Sequence, residues 1–279
     1  DKLNWNLAAD QTGAQFSLSV AAETSLHVEG SATVEFDGLF TVDGSFVLDQ
    51  YDITLIDNPD TAYAGFVGGT ALALQLQIAG GVPSGEVSGS GTLKLLELTN
   101  TAGQSWLSVE ASDLNFDLSF DPLSLTVTNG SFSLNQTPVG RSKLDWNLAL
   151  NEAGAPFNLA IGVNTSLHVE GAATIDFDGL LSVSGSFALD QFDIALGGTD
   201  PAYAGFAGGT GLALQLQISG GVPTGEVSGS GTLKLLQLKN VADQSWLGVE
   251  ATDLDFDLDF DPLSLSVTNG SLAFNQASE

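Results

Sequence analysis

Cysteine and methionine are both absent from this 279-residue chain, and only 6 residues are basic. No apolar run approaches the roughly 18 residues of a membrane-spanning helix, so the chain is expected not to span a membrane. Without cysteine there can be no disulfide, no thiolate nucleophile and no Cys-ligated zinc or iron–sulfur centre. Against 34 acidic residues the 6 basic ones leave a formal charge of −28. Phosphates would meet a surface of their own sign, which excludes nucleic acid as a partner. What the chain does have is 43% hydrophobic residues and 33 glycines, enough apolar content for a packed core. No signal peptide opens the chain at Asp1, and the missing Met is what a fragment of a longer protein would show.

The dominant feature is a tandem duplication. KLNWNLA at Lys2 returns as KLDWNLA at Lys143, and TSLHVEG at Thr24 returns at Thr165, while GEVSGSGTLKLL recurs unchanged. One residue is lost in the loop after DQFDIAL, and about 70% of aligned positions are identical. Each copy holds 17 acidic and 3 basic residues, hence −14 apiece. The period is domain-sized and far longer than a solenoid repeat. The reading is two domains, 1–141 and 142–279, joined by the polar run TPVGRS at 137–142.

Within each copy the hydrophobic period is two. In SLHVEGSATVEF, Leu26, Val28, Gly30, Ala32, Val34 and Phe36 share one face, and His27, Glu29, Ser31, Thr33 and Glu35 the other. Asp37-Gly38 then reads as a hairpin turn. Further strands are expected at 72–78, 87–98, 106–111 and 114–120, and Asn129-Gly130 is expected to turn 123–128 back onto 131–134. No segment carries a helical stripe. The fold class is all-β and antiparallel, with eight to ten strands per copy in a sandwich or an elongated meander.

Carboxylates supply the candidate chemistry. Asp253, Asp255, Asp257, Asp259 and Asp261 alternate with Leu254, Phe256, Leu258 and Phe260, which lines one strand face with acid. Calcium takes six to eight oxygens, so Asp113, Asp117, Asp121, Asp253, Asp257 and Asp261, with the loop acids Asp60 and Asp200, are the candidate ligands. The competing reading is a solvated face that protects strand edges from association. His27 and His168 read as surface histidines, because a transition-metal site would need an all-carboxylate remainder. Glu86 with Glu226, or Glu110 with Glu250, could be nominated as a hydrolytic pair, but any chain with 34 acids offers such pairs. Trp5 and Trp146 share faces with leucines and read as core. Trp106 and Trp246, with Tyr63 and Tyr203, are the candidate sugar-stacking platforms, set against packing under a loop or between repeats. The NGS sequences at Asn129 and Asn269 match glycosylation acceptors, and a turn accounts for them equally well.

Duplicated, acidic, cysteine-free units with LHVEG, VDGSFVLDQ and VSGSFALDQ strands resemble the tandem β-repeat modules of very large bacterial secreted or surface proteins. The resemblance implies an extracellular or cell-surface stalk, adhesin extender or fibre subunit, with calcium as a candidate stiffening ion and no required cofactor. The expected partners are further copies of the repeat, neighbouring filament subunits and cell-surface glycans. A non-enzymatic structural segment is the leading expectation, a carbohydrate-binding β module is the alternative, and a closed outer-membrane barrel is a third reading.

Overall fold

The computed structural model describes residues 3–277 apart from 4, 10, 16–21, 23, 37–39, 54–60, 83, 122, 151–155, 178–179, 195–204, 223 and 261–262. Twelve strands form one antiparallel sheet in strict chain order. They are β1 (Thr24–Phe36), β2 (Phe40–Asp52), β3 (Thr70–Gly81), β4 (Val87–Thr99), β5 (Ser105–Phe120), β6 (Leu123–Gln136), β7 (Thr165–Phe177), β8 (Leu181–Asp193), β9 (Thr210–Gly221), β10 (Val227–Lys239), β11 (Ser245–Phe260) and β12 (Leu263–Ala277). The sheet is a meander and does not close into a barrel. Its only helical elements among the described residues are short 3-10 turns. Among the described residues no helix is long and apolar enough to cross a membrane.

Six strands per copy replace the expected eight to ten, because two presumed breaks are bulges inside longer strands. Asp113 (φ 54°) and Asn129 (φ 52°) adopt left-handed backbone within β5 and β6, as Asp253 and Asn269 do in the second copy. The register shifts there by design of the backbone, between Ala111 and Leu114 on β5 and between Thr128 and Ser131 on β6. Asn129-Gly130 is therefore not a hairpin turn. Its tolerance of positive φ serves a bulge, and the Asn115 side chain accepts a hydrogen bond from the Asn129 N–H at 3.2 Å. Leu114 lies against two glycines at this bulge. A Cβ on Gly91 would come within 2.6 Å of Leu114 Cδ2, and one on Gly130 within 3.1 Å of Leu114 Cβ. The Asp37-Gly38 connection lies outside the described residues.

The duplication does not separate into two sheets. β6 pairs with β7 as other neighbours do, from Leu123↔Phe177 to Leu134↔Leu167. One apolar row crosses all twelve strands through this junction, including Phe46, Leu76, Leu93, Phe132, Val169, Leu189, Leu214, Leu235, Val249 and Phe274. The strands' main contacts are with ladder neighbours, as in a single layer. The consequence is a large surface. The chain exposes 16831 Å², where a compact protein of this mass would expose about 11,000 Å².

The bulge makes a sharp demand on residue 129. Asn129→Val forces a β-branched side chain into positive φ and is expected to cost about 1–3 kcal/mol. Asn129→Gly should stay within about 0.5 kcal/mol of the parent. Urea denaturation of both variants measures the difference, and equal midpoints would mean the bulge is not required.

Candidate functional site

The buried core sits on one face of the first copy, beneath a segment that belongs in sequence to the second. Tyr51, Ala71, Leu98 and Trp106 form one row across β2–β5, and Ala73 and Leu96 continue it below. Residues 142–150 and 156–162 lie over these rows. They insert Leu144, Trp146, Ala149, Phe157, Leu159 and Ile161, none more than 8% exposed. The cap has its own local logic. Asp145 caps a 3-10 turn at Trp146–Leu148, and its carboxylate accepts from the Asn147 N–H at 3.2 Å. The two arms are tied by Trp146 N–H to the Ile161 carbonyl at 2.9 Å and Phe157 N–H to the Ala149 carbonyl at 2.8 Å. Alternation along the second arm buries Phe157, Leu159 and Ile161 and exposes Asn158 and Ala160.

Polar groups at the interface are matched across it. Asn135, 3% exposed on β6, accepts from Trp146 Nε1 at 2.8 Å and donates to the Leu144 carbonyl at 2.9 Å. Trp106 Nε1 donates to the Ser142 carbonyl at 3.0 Å, and Tyr63 Oη to the Asp145 carbonyl at 2.8 Å. Tyr51 Oη reaches the Leu150 carbonyl at 3.1 Å, and Lys94 Nζ the Asn158 carbonyl at 2.9 Å. Glu110 accepts from the Ala160 N–H at 2.5 Å. Among the described residues, every buried side-chain polar atom has a partner, so the cap closes the face without an unsatisfied group.

The second copy presents the same face open. Leu96 is fully buried, whereas its counterpart Leu236 is 42% exposed. Trp246, Leu238 and Ala213 are half-buried where Trp106, Leu98 and Ala73 are buried, and Asn275 is exposed where Asn135 is buried. Together with Phe206 they line a groove of about 760 Å³. The residues at the start of the chain that match Leu144 and Trp146 are uncovered: Leu3 is 65% and Trp5 46% exposed. The expectation that both Trp5 and Trp146 are core therefore holds for Trp146 alone: Trp146 is fully buried and Trp5 is 46% exposed.

The aromatic candidates follow the same division. Trp106 and Tyr63 are buried beneath the cap and offer no open ring face for a sugar. Trp246 lines the open groove, and Tyr203 lies outside the described residues. Among the described residues the candidate carboxylates do not converge. Asp113 and Asp253 occupy the bulges and accept from the neighbouring Ser112 and Thr252 hydroxyls at 3.3 and 3.1 Å. The bulge takes Asp253 out of the expected alternating ladder. Asp117 accepts from Thr126 at 3.3 Å, Asp257 pairs across from Ser266, and Asp121 sits exposed after β5. Asp60, Asp200 and Asp261 lie outside the described residues. Among the described residues no three His, Asp or Glu side chains are grouped to hold a metal ion. His168 pairs with Asp190 at 2.5 Å across β7 and β8, as His27 does with Asp49. Glu86 and Glu226 accept from Ser84 and Thr224 within their turns at 3.1 Å. The Glu110–Lys94 approach of 4.0 Å and the Ala160 N–H bond make Glu110 an anchor of the cap.

Comparison with protein-family models, with curated proteins and with solved structures returns no match. Function therefore rests on the geometry: a covered face, a closely similar open face, and two related copies of the segment that covers the first.

The asymmetry between the two copies is measurable. Trp146→Ala empties a fully buried site and is expected to cost about 3–5 kcal/mol. Trp5→Ala, at an exposed site, is expected to stay within about 0.5 kcal/mol at concentrations where the chain is monomeric. Urea titration compares them, and equal losses would contradict the role given to the cap. Millimolar calcium is expected to move the unfolding midpoint no further than magnesium at the same ionic strength. A calcium-specific rise of several degrees would assign ion cages to acids outside the described residues.

Proposed function

We propose that this chain is a non-enzymatic structural repeat segment of a large bacterial extracellular or surface protein, serving as stalk, adhesin extender or fibre subunit. The observation that carries the reading is the junction between copies. There the β6–β7 ladder continues the sheet, and residues 142–150 and 156–162 fold back over the preceding copy. A repeat joined in this way cannot swing as a bead on a string, because bending at the junction would break a ladder and expose Trp146 together. Rigidity of that kind suits a spacer that must hold something at a distance. The acidic exterior suits it too, since −14 per copy keeps neighbouring arrays from clumping.

Each copy contributes six strands along the hydrogen-bonding direction. At about 4.8 Å per strand, each added copy should lengthen the body by about 29 Å. Small-angle scattering from chains of two, three and four copies tests this. A constant increment supports a stiff array, whereas growth with the square root of copy number would mean flexible beads and would sink the reading.

A further inference from the structure

We infer that two molecules of this chain pack face to face, the sheet face opposite the cap on one lying against the same face on the other to make a two-layer sandwich. The partner is a second copy of the chain, and the contact is separate from the junction that carries the array reading.

Alternation sends every second residue of each strand to that face. On the interior strands β2–β11 it carries four neighbouring rows with no polar side chain, from the row through Phe46, Leu76 and Phe132 to the row through Val87 and Ile175. The capping segment lies on the other side, over Tyr51, Leu96 and Trp106. Each of these strands is paired on both edges, so further strands at either end of the sheet would lengthen the face and cover none of it. Its side chains stand in the open: Ile78 is 47%, Phe116 40%, Ile175 46% and Ile218 46% exposed. Glycines leave two of them clear of their neighbours. Ile78 lies between Gly44 and Gly91, and Ile218 between Gly185 and Gly231.

The area suits a protein partner. Strands about 4.8 Å apart and rows about 6.6 Å apart make the apolar field about 48 Å by 26 Å, or about 1,250 Å² on each molecule and about 2,500 Å² for a pair. Standard stable interfaces bury about 1,200–2,000 Å², and obligate homodimers more. The chain exposes 16831 Å², a surplus of about 5,500 Å² over a compact protein of its mass and more than enough to supply one such face. The four rows offer no polar group that would orient a small ligand.

Charge selects the same face. Asp43, Asp49, Asp117, Glu170, Asp176 and Asp190 all lie on the opposite side by alternation. Packed sheets sit about 10 Å apart, which holds the two acidic faces about 20 Å from each other on the outside of the sandwich. That is beyond the Debye length of about 8 Å at physiological salt, so their repulsion is screened there and returns at low salt. Both molecules use one patch, so the contact is isologous and closes at the dimer.

Two pairs of substitutions test this. Ile78→Lys with Ile218→Lys charges the face at exposed sites. Gln77→Lys with Gln217→Lys adds the same charges one residue away, on the opposite face, where both side chains are exposed. Sedimentation velocity of the full chain from about 1 to about 200 µM at physiological salt is expected to show monomer and dimer and nothing larger. The isoleucine pair should weaken the dimer at least about 100-fold, and the glutamine pair should leave it within about threefold. At about 0.01 M salt, where the Debye length is about 30 Å, the parent dimer should weaken at least about tenfold. Ile78→Cys gives a readout that puts no charge in the face, because the chain has no other thiol. Maleimide should label it at least about tenfold more slowly at the high concentration than at the low one, whereas Gln77→Cys should label equally at both. A monomer at every concentration, a dimer indifferent to the isoleucine pair, or an unprotected Ile78→Cys thiol would overturn the inference. So would a monomer that floats with phosphatidylcholine vesicles, since lipid would then be the occupant of the face. If no dimer forms while scattering from longer chains still grows by constant increments, only the pairing of molecules falls and the covalent array stands.

Discussion

A sheet one layer thick has two faces, and six strands of one repeat can cover neither. Everything else in this molecule answers that constraint. The row Tyr51, Ala71, Leu98 and Trp106 is too apolar to be left in water, yet the strands that bear it are occupied in their own ladders. The cover must come from chain outside those strands, and it comes from the start of the next copy. Burying Trp146 completely while giving its indole N–H a partner in Asn135 fixes the cap in one place. The polar bonds around it add position more than energy, since each replaces a bond to water. Removing water from Leu96, Trp106, Trp146 and Ile161 supplies the drive.

Much of this was legible in the sequence. The duplication, the all-β class and the long alternating strands follow from repeated words and period-two patterning, and the ladders agree with them. The bulges were not legible, for a physical reason. Asn-Gly marks tolerance of positive φ, and a hairpin turn and a β-bulge both use that tolerance. Only the partner strand decides between them: β7 runs alongside both halves of β6, so 123–128 and 131–134 form one strand. The strand count fell from that one misreading repeated at Asp113 and in the second copy.

The cap was half legible. Leu144 with Trp146, and Phe157 with Leu159 and Ile161, form two short alternating runs, and alternation says that one side is buried. It does not say against what. A segment's sequence records its own apolar face, whereas the identity of the surface beneath depends on a contact between residues such as Tyr51 and Leu150, 99 positions apart. Closely similar segments in both copies hid the difference further, since Trp5 and Trp146 both sit in KL-x-WNLA and have opposite exposure in the fold. The aromatic platforms were ambiguous for the same reason: Trp106 and Trp246 read alike, and only one has a cover.

Near-identical repeats carry a hazard, because any cap fits any groove and any β1 fits any β6. In this fold the same interchangeability is what makes extension possible, and order comes from tethering. The segment following β6 is held within a few residues of its groove at a high effective concentration, so it outcompetes the same segment on another molecule. The charge of −14 per copy sets the threshold for contacts between molecules. Long-range repulsion opposes every encounter between copies, and only a contact that desolvates a whole apolar face at once can exceed it. Loose, partial contacts between acidic faces cannot. The acidic exterior and the apolar face thus act together: one suppresses association in general, and the other permits it at a single matched surface.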